Sequence, residues 1–310
     1  MDALVGLLDG VRAHGAFVLR MVLDPPWSMR IQDEAPLTVI CVTDGTAVLS
    51  PDRGTAMPLH AGDVALARGT ENYVLADSAT TQPQVIIHPG QRCTTLSGED
   101  LKFAMALGIR TWGNSVAGAT RAVVGAYEGH SAVSARLLGA LPDVAVLRSD
   151  DWASELPQTL AAEALHDGPG QEAFLDRLLD LLLLDFLRTW FGRAGSAPLW
   201  WTAESDVLVG PALRLMYNDP AHPWTVANLA EAVGSSRASF ARRFSTLVGE
   251  SPIAFLTTWR LALAADLLES SDITVAAVAR RVGYSTPFAL STAFKRASGL
   301  SPTAFRARRT

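Results

Sequence analysis

Residues 225–255 and 274–305 are two copies of one pattern, and no other feature limits the fold of this chain so tightly. Thr225, Val226, Ala230, Val233 and Gly234 recur 49 residues later as Thr274, Val275, Ala279, Val282 and Gly283. After one inserted residue, Phe244, Gly249, Ser251, Pro252 and Phe255 recur at an offset of 50 as Phe294, Gly299, Ser301, Pro302 and Phe305. Each copy predicts two helices and a tight turn. A threonine caps the first, short helix, whose Val226, Leu229, Ala230 and Val233 face inward in copy one. A glycine ends it, where positive φ favours a residue without Cβ. The second helix starts at a Ser or Thr cap. Its Phe240 and Phe244, or Leu290 and Phe294, lie four apart and form a buried stripe. This is the helix-turn-helix layout, in which the second helix lies in the major groove of DNA. One lone motif would be weak. Two motifs, 225–249 and 274–299, joined by a single helix over Pro252–Glu269, are a much stronger pattern.

The charge is distributed to match. The whole chain of 310 residues has a formal net charge of −5. Residues 204–310 hold 12 Lys and Arg against 8 Asp and Glu, while residues 1–203 hold 14 against 23. A basic C-terminal third in an acidic protein suggests a nucleic-acid partner there and a different partner for the rest. Residues 193–206, RAGSAPLWWTAESD, read as the linker, with Trp200 and Trp201 packing it against a domain. Two cysteines exclude a disulfide scaffold and a four-thiolate zinc module. The N-terminus has no basic n-region, and no uncharged apolar run reaches a membrane span. The expectation is a soluble cytoplasmic protein with no membrane partner.

Upstream, residues 30–96 read as short strands: MRI, LTVICV, TAVLS, VALAR, YVLAD and QVIIH are strand-length apolar runs, separated by turn signals such as TDG and AGD. They predict a sandwich or small barrel, jelly rolls included. Helices follow over Leu156–Asp167 and Glu172–Gly192.

Residues 207–310 resemble the DNA-binding domain of the AraC/XylS family of bacterial transcription regulators. LAEAVGSSRASFARRFSTLVGESPIAF, WRLALAADLLESSDITVAAVARRVGY and FKRASGLSPTAFR carry the resemblance. It implies that both second helices enter successive major-groove segments, about 34 Å apart. Carried over by position, the base-reading sites are Arg237, Ala238, Ala241 and Arg242 in copy one, and Phe288, Ser291 and Thr292 in copy two. Arg242 is the principal candidate, because a guanidinium pairs with guanine O6 and N7. Arg243 is a second DNA candidate. A solvated helix face is the alternative for both. Ala241 and Thr292 stand where the family often has a long polar residue and an arginine, so copy two is expected to read methyl groups and shape. Lys295, Arg306, Arg308 and Arg309 read as phosphate contacts or plain surface charges, and Arg260 as one half of an internal ion pair.

Residues 20–100 resemble the cupin-like sensor domain found ahead of many such DNA-binding domains, on PPWSMR, VTDGTAVL and LHAGDVALARGTENYVLAD. The expected architecture is therefore α+β in two domains. An N-terminal cupin-like β-barrel (jelly roll) with a helical tail spans 1–192, the linker 193–206, and an all-α tandem helix-turn-helix domain 207–310. The resemblance implies a regulator of promoter DNA that senses a small-molecule effector, forms a homodimer and can meet RNA polymerase. No cofactor and no catalytic residue is expected. A metal-dependent cupin enzyme, the rival reading, needs a His-x-His pair, and Ile40-Cys41-Val42 stands near that position. His88 and Cys93 could share a metal, though a surface histidine and a loop thiol are the simpler reading. A third reading makes Cys41 and Cys93 a redox switch, with Arg92 lowering the Cys93 pKa; a buried small hydrophobe is the alternative for Cys41. The leucine-rich helix Glu172–Gly192 is apolar around most of its circumference, which assigns Leu179, Leu183 and Leu187 to a dimer seam, with full burial as the alternative.

Overall fold

The computed structural model describes residues 17–69, 71–127, 137–193 and 195–307. It forms two compact units. Residues 17–127 and 141–190 make one, and residues 191–307, with 137–140, make the other. In chain order the strands are β1 (Phe17–Leu23), β2 (Ser28–Ile31), β3 (Leu37–Asp44), β4 (Thr46–Pro51), β5 (Met57–His60), β6 (Val64–Arg68), β7 (Tyr73–Ala76), β8 (Val85–His88), β9 (Arg92–Thr95), β10 (Ala106–Gly108), β11 (Thr111–Gly113), β12 (Thr120–Tyr127) and β13 (Val144–Leu147). The α-helices are α1 (Leu156–Glu163), α2 (Gln171–Gly192), α3 (Leu199–Ala203), α4 (Val209–Asn218), α5 (Val226–Ala232), α6 (Arg237–Val248), α7 (Pro252–Ser270), α8 (Val275–Arg281), α9 (Pro287–Ser298) and α10 (Pro302–Arg306).

The strands form two sheets, in the orders β10-β11-β1-β12-β3-β6-β13 and β5-β4-β7-β2-β8-β9. Pairing is mostly antiparallel, with β1–β11 and β2–β8 parallel. Side chains of both sheets share one core: Met21, Ile40, Val42 and Trp112 from the first, Met29, Leu49, Leu59 and Leu75 from the second. Alternation along each strand puts these residues on the inner faces. The jelly-roll expectation holds, but closure into a barrel does not. Among the described residues the edge strands of one sheet pair with no strand of the other. Burial between two open layers satisfies the apolar faces without closure.

Helix α2 is buried along Leu175, Leu178, Leu179, Leu182, Leu183, Phe186 and Leu187. The Tyr127 hydroxyl of β12 donates to the Leu179 carbonyl at 3.1 Å, and Trp152 Nε1 donates to the Asp185 carboxylate at 2.9 Å. This corrects the dimer-seam assignment. Leu179, Leu183 and Leu187 are 0, 1 and 0% exposed in a single chain, so they are core and cannot present a seam. The large exposed apolar side chains of α2 are Phe174 and Leu181.

In the second unit the helices of the repeat all start at bonded caps. Thr225, Ser236, Ser251, Thr274, Thr286 and Ser301 each accept a backbone N–H three residues on. Thr225 and Asn228 complete a reciprocal capping box. Gly249 and Gly299 end α6 and α9 at φ 86° and 78°. The segment 193–206, expected as linker, contains α3, and its Trp201 ring lies 4.8 Å from the Phe191 ring. Among the described residues no helix is long and apolar enough to cross a membrane.

Candidate nucleic-acid interface

The two reader helices α6 and α9 are built alike from the core outward. Phe240 and Phe244 on α6 pack with ring centroids 5.7 Å apart, and Phe244 lies 5.8 Å from Phe255 of α7. In the second copy Phe294 lies 5.2 Å from Phe305. The joining helix α7 serves both cores. Its first half supplies Phe255 and Trp259, which meet Tyr217 at 5.7 and 4.7 Å. Its second half supplies Ala264, Ala265 and Leu268 to the cluster holding Val278, Ala279, Leu290 and Phe294. A helix embedded in two cores is a stiff spacer, which fixes one motif relative to the other.

With Phe240 and Phe244 inward, the opposite face of α6 presents Arg237, Ala238 and Arg242 to solvent, and Ala241 is half-buried. On α9 the burial of Leu290 and Phe294 leaves Phe288, Thr292 and Lys295 exposed. Ser291 is half-buried, and its hydroxyl donates back to the Pro287 carbonyl at 2.8 Å. Phe288 is 81% exposed, a large apolar ring standing in water at the N-terminal end of a reader helix.

Arg243 belongs elsewhere. Its Nε and guanidinium NH2 donate to the Asp206 carboxylate at 3.0 and 2.6 Å. The same Asp206 accepts the backbone N–H groups of Leu208 and Val209 at the start of α4. These donors hold the Asp206 carboxyl below the usual carboxylate range, Arg243 first among them, against the opposing effect of burial. A DNA-facing role for Arg243 is thus replaced by a structural one. Arg260 forms no ion pair among the described residues; it donates to the carbonyls of Pro220 and His222, both at 2.7 Å. Arg306 donates to the Ile273 carbonyl at 2.6 Å, a contact within its own unit. Arg308 and Arg309 lie outside the described residues. Asp206 was not legible as a partner, because it sits 37 residues from Arg243 in a segment without periodicity.

In the first unit, two adjoining chambers lie at one end of the space between the sheets. An apolar one of about 50 Å³ is lined by Leu19, Met21, Met29, Ile40 and Trp112, among others. A more polar one of about 180 Å³ is lined by Glu34, Glu71 and Asn72. Ile31, Asp33, Thr38 and Tyr73 line both. The surroundings of the two cysteines lend the redox reading no support. Burial pushes the Cys93 thiol up to about 11, with Asp100 adding to the shift, and pushes Cys41 up to about 12. Arg92 does not acidify its neighbour. Ile40 and Val42 point into the inter-sheet core, so Cys41 points to the opposite face of its sheet, while Cys93 lines the apolar chamber. His88 bonds Thr94 through Nε2 at 2.9 Å. Among the described residues no group of three His, Cys, Asp or Glu is placed to hold a metal ion.

A two-layer jelly roll followed by a tandem helix-turn-helix unit defines a class of DNA-binding regulators. The Cupin family model matches residues 2–192, and a Helix-turn-helix domain model matches residues 229–308. The chain belongs to the AraC/XylS family of transcription regulators, with an N-terminal Cupin domain. The transcriptional regulator AlkR of Acinetobacter baylyi is 26% identical over 312 residues, 99% of each chain. A protein of Streptomyces lividans described as an AraC-like transcription regulator is 36% identical over 175 residues, 55% of this chain and 58% of its own. The chain spans about half the length of the Streptomyces relatives it matches. Among solved structures, the DNA-binding domain of the global transcriptional factor AdpA in complex with a target DNA is 38% identical. That match covers 34% of this chain and 93% of that one, with a TM-score of 0.32.

Proposed function

We propose that the chain binds double-stranded promoter DNA through α6 and α9 and that its jelly roll binds a small-molecule effector that biases this engagement. The working limits are 1–192 for the sensor and 207–310 for the DNA-binding domain. The observation that carries the reading is the matched pair of capped reader helices on one shared helix, with Arg237 and Arg242 exposed on one and Phe288 and Thr292 on the other. Arg237 and Arg242 supply donors for guanine edges in one groove. Phe288 and Thr292 supply apolar contacts suited to thymine methyl groups in the other. The effector can act only through different affinities for two conformations. A homodimer belongs to the same reading, with Phe174 and Leu181 as the α2 side chains free to contribute.

The test uses a promoter fragment bound by the full chain and a random duplex of equal length. Arg242→Ala should weaken the promoter complex by about 1–3 kcal/mol and leave the random duplex nearly unchanged. Gel-shift titration of both duplexes measures it. Equal loss on both would remove Arg242 from base reading.

A further inference from the structure

The sensor reading leaves the chemistry of the effector open, and the two chambers between the sheets constrain it. Three observations bear on the class. Among the described residues neither chamber is lined by a lysine, arginine or histidine. An anionic ligand would therefore be desolvated there without a counter-charge, which is costly. Second, carboxylates are present and under-compensated. Among the described residues Asp33 accepts only neutral donors, the Ala35 N–H and the Gln91 side-chain amide, both at 3.2 Å. Glu71 pairs with Arg53 through Oε1 at 3.2 Å, but its buried Oε2 has no hydrogen-bond partner among the described residues. Third, Trp112 is 6% exposed, lines the apolar chamber, and its indole Nε1 has no acceptor among the described residues. Buried indole N–H groups are normally bonded, so this one is available to a ligand acceptor.

Resting on the sensor reading above, we infer that the effector is a small organic amine with a short apolar body. Its ammonium sits between Asp33 and Glu71 in the polar chamber, and an acceptor on its body takes the Trp112 N–H in the apolar one. Size supports a short body. A cavity that holds benzene measures about 150 Å³, and the apolar chamber is about 50 Å³. Met21 and Met29 in its wall are unbranched and adapt to irregular shapes, so modest widening is available. Organic acids and phosphorylated compounds are excluded by the same charge argument.

Three probes of equal length separate the heads: aminohexanol, hexanediol and hydroxyhexanoate, each with a terminal hydroxyl for Trp112. Calorimetric titration of the full chain should give the amine an affinity at least about tenfold above the diol, with the acid weakest. Asp33→Asn should cost the amine about tenfold and leave the diol unchanged. Glu71→Gln, a second position, should move in the same direction. Trp112→Phe should weaken aminohexanol but not hexylamine, which lacks the hydroxyl. Circular dichroism melting checks that each variant folds. Diol binding as tight as the amine, tightest binding of the acid, or no binding of the amine at millimolar concentration would overturn the inference. Failure of the sensor reading looks different: the amine binds as described, yet promoter affinity is the same with and without it.

Discussion

The Asp206–Arg243 pair decides what one arginine on a reader helix does. A carboxylate that accepts two backbone N–H groups and a two-nitrogen guanidinium contact favours its ionised form strongly. Its folded pKa lies below the unfolded value, so the stability it contributes is fully present above the unfolded carboxylate pKa. That stability is lost as pH falls through the folded pKa. Asp206→Asn should therefore lower the Tm of the full chain at pH 7. The gap from the unsubstituted protein should close as the pH drops below about 4, the range of ordinary carboxylates. Thermal melts across pH 2–7 read this directly. A gap that is constant with pH would mean that the amide replaces the carboxylate at no electrostatic loss. Cys93 teaches the converse lesson: a sequence neighbour of opposite charge, Arg92, does not set a pKa when burial and Asp100 act the other way.

At the scale of elements, the helical half was legible and the sheet half only partly. Caps and helix ends are local chemistry, so Ser251-Pro252, Ser301-Pro302 and the paired glycines could be read residue by residue. The joining helix, expected over Pro252–Glu269, runs Pro252–Ser270. Strands β10 and β11 were not legible, because each has three residues, includes a glycine, and owes its existence to partners. β11 pairs in parallel with Arg20–Val22, about ninety residues earlier. The chamber residues Asp33 and Trp112 share that origin, and no local signal unites them. Helix α2 misled for a different reason, since seven of its apolar side chains serve its own unit. The repeat also hides an inequality that can be measured. Gly234 and Gly283 occupy equivalent turns at φ 69° and 82°. A Cβ at Gly234 would meet nothing within 4 Å, whereas one at Gly283 would lie 2.8 Å from the Pro220 carbonyl oxygen, Ala221 Cα and an Arg260 nitrogen. Gly234→Ala should cost about 1–2 kcal/mol from backbone strain alone. Gly283→Ala should cost more and should disturb the Arg260 bonds to Pro220 and His222. Urea denaturation of the two variants compares them, and equal losses would show that the 219–222 loop yields freely.

For the whole molecule, net charge and usable charge are different quantities. The C-terminal third has a formal excess of four positive charges over residues 204–310. Yet Arg243, Arg260 and Arg306 are bonded within the fold. On the reader helices Arg237, Arg242 and Lys295 are exposed; with the two arginines proposed for base edges, Lys295 is left to meet a phosphate. Each phosphate neutralised releases counterions and contributes about −0.9 to the slope of log K against log salt. Lys295→Ala should therefore make that slope shallower by about 1 and weaken promoter and random DNA alike. Arg243→Ala should lower stability but leave the slope of the folded protein unchanged, because its charge is already spent on Asp206. Salt titrations of DNA binding at a temperature well below every Tm separate the two cases. A slope change in the Arg243 variant equal to that of Lys295 would mean that the Asp206 contact opens on DNA. The guanidinium would then exchange a carboxylate for a phosphate, and the segment around Asp206 would be released from the reader helix in the same step.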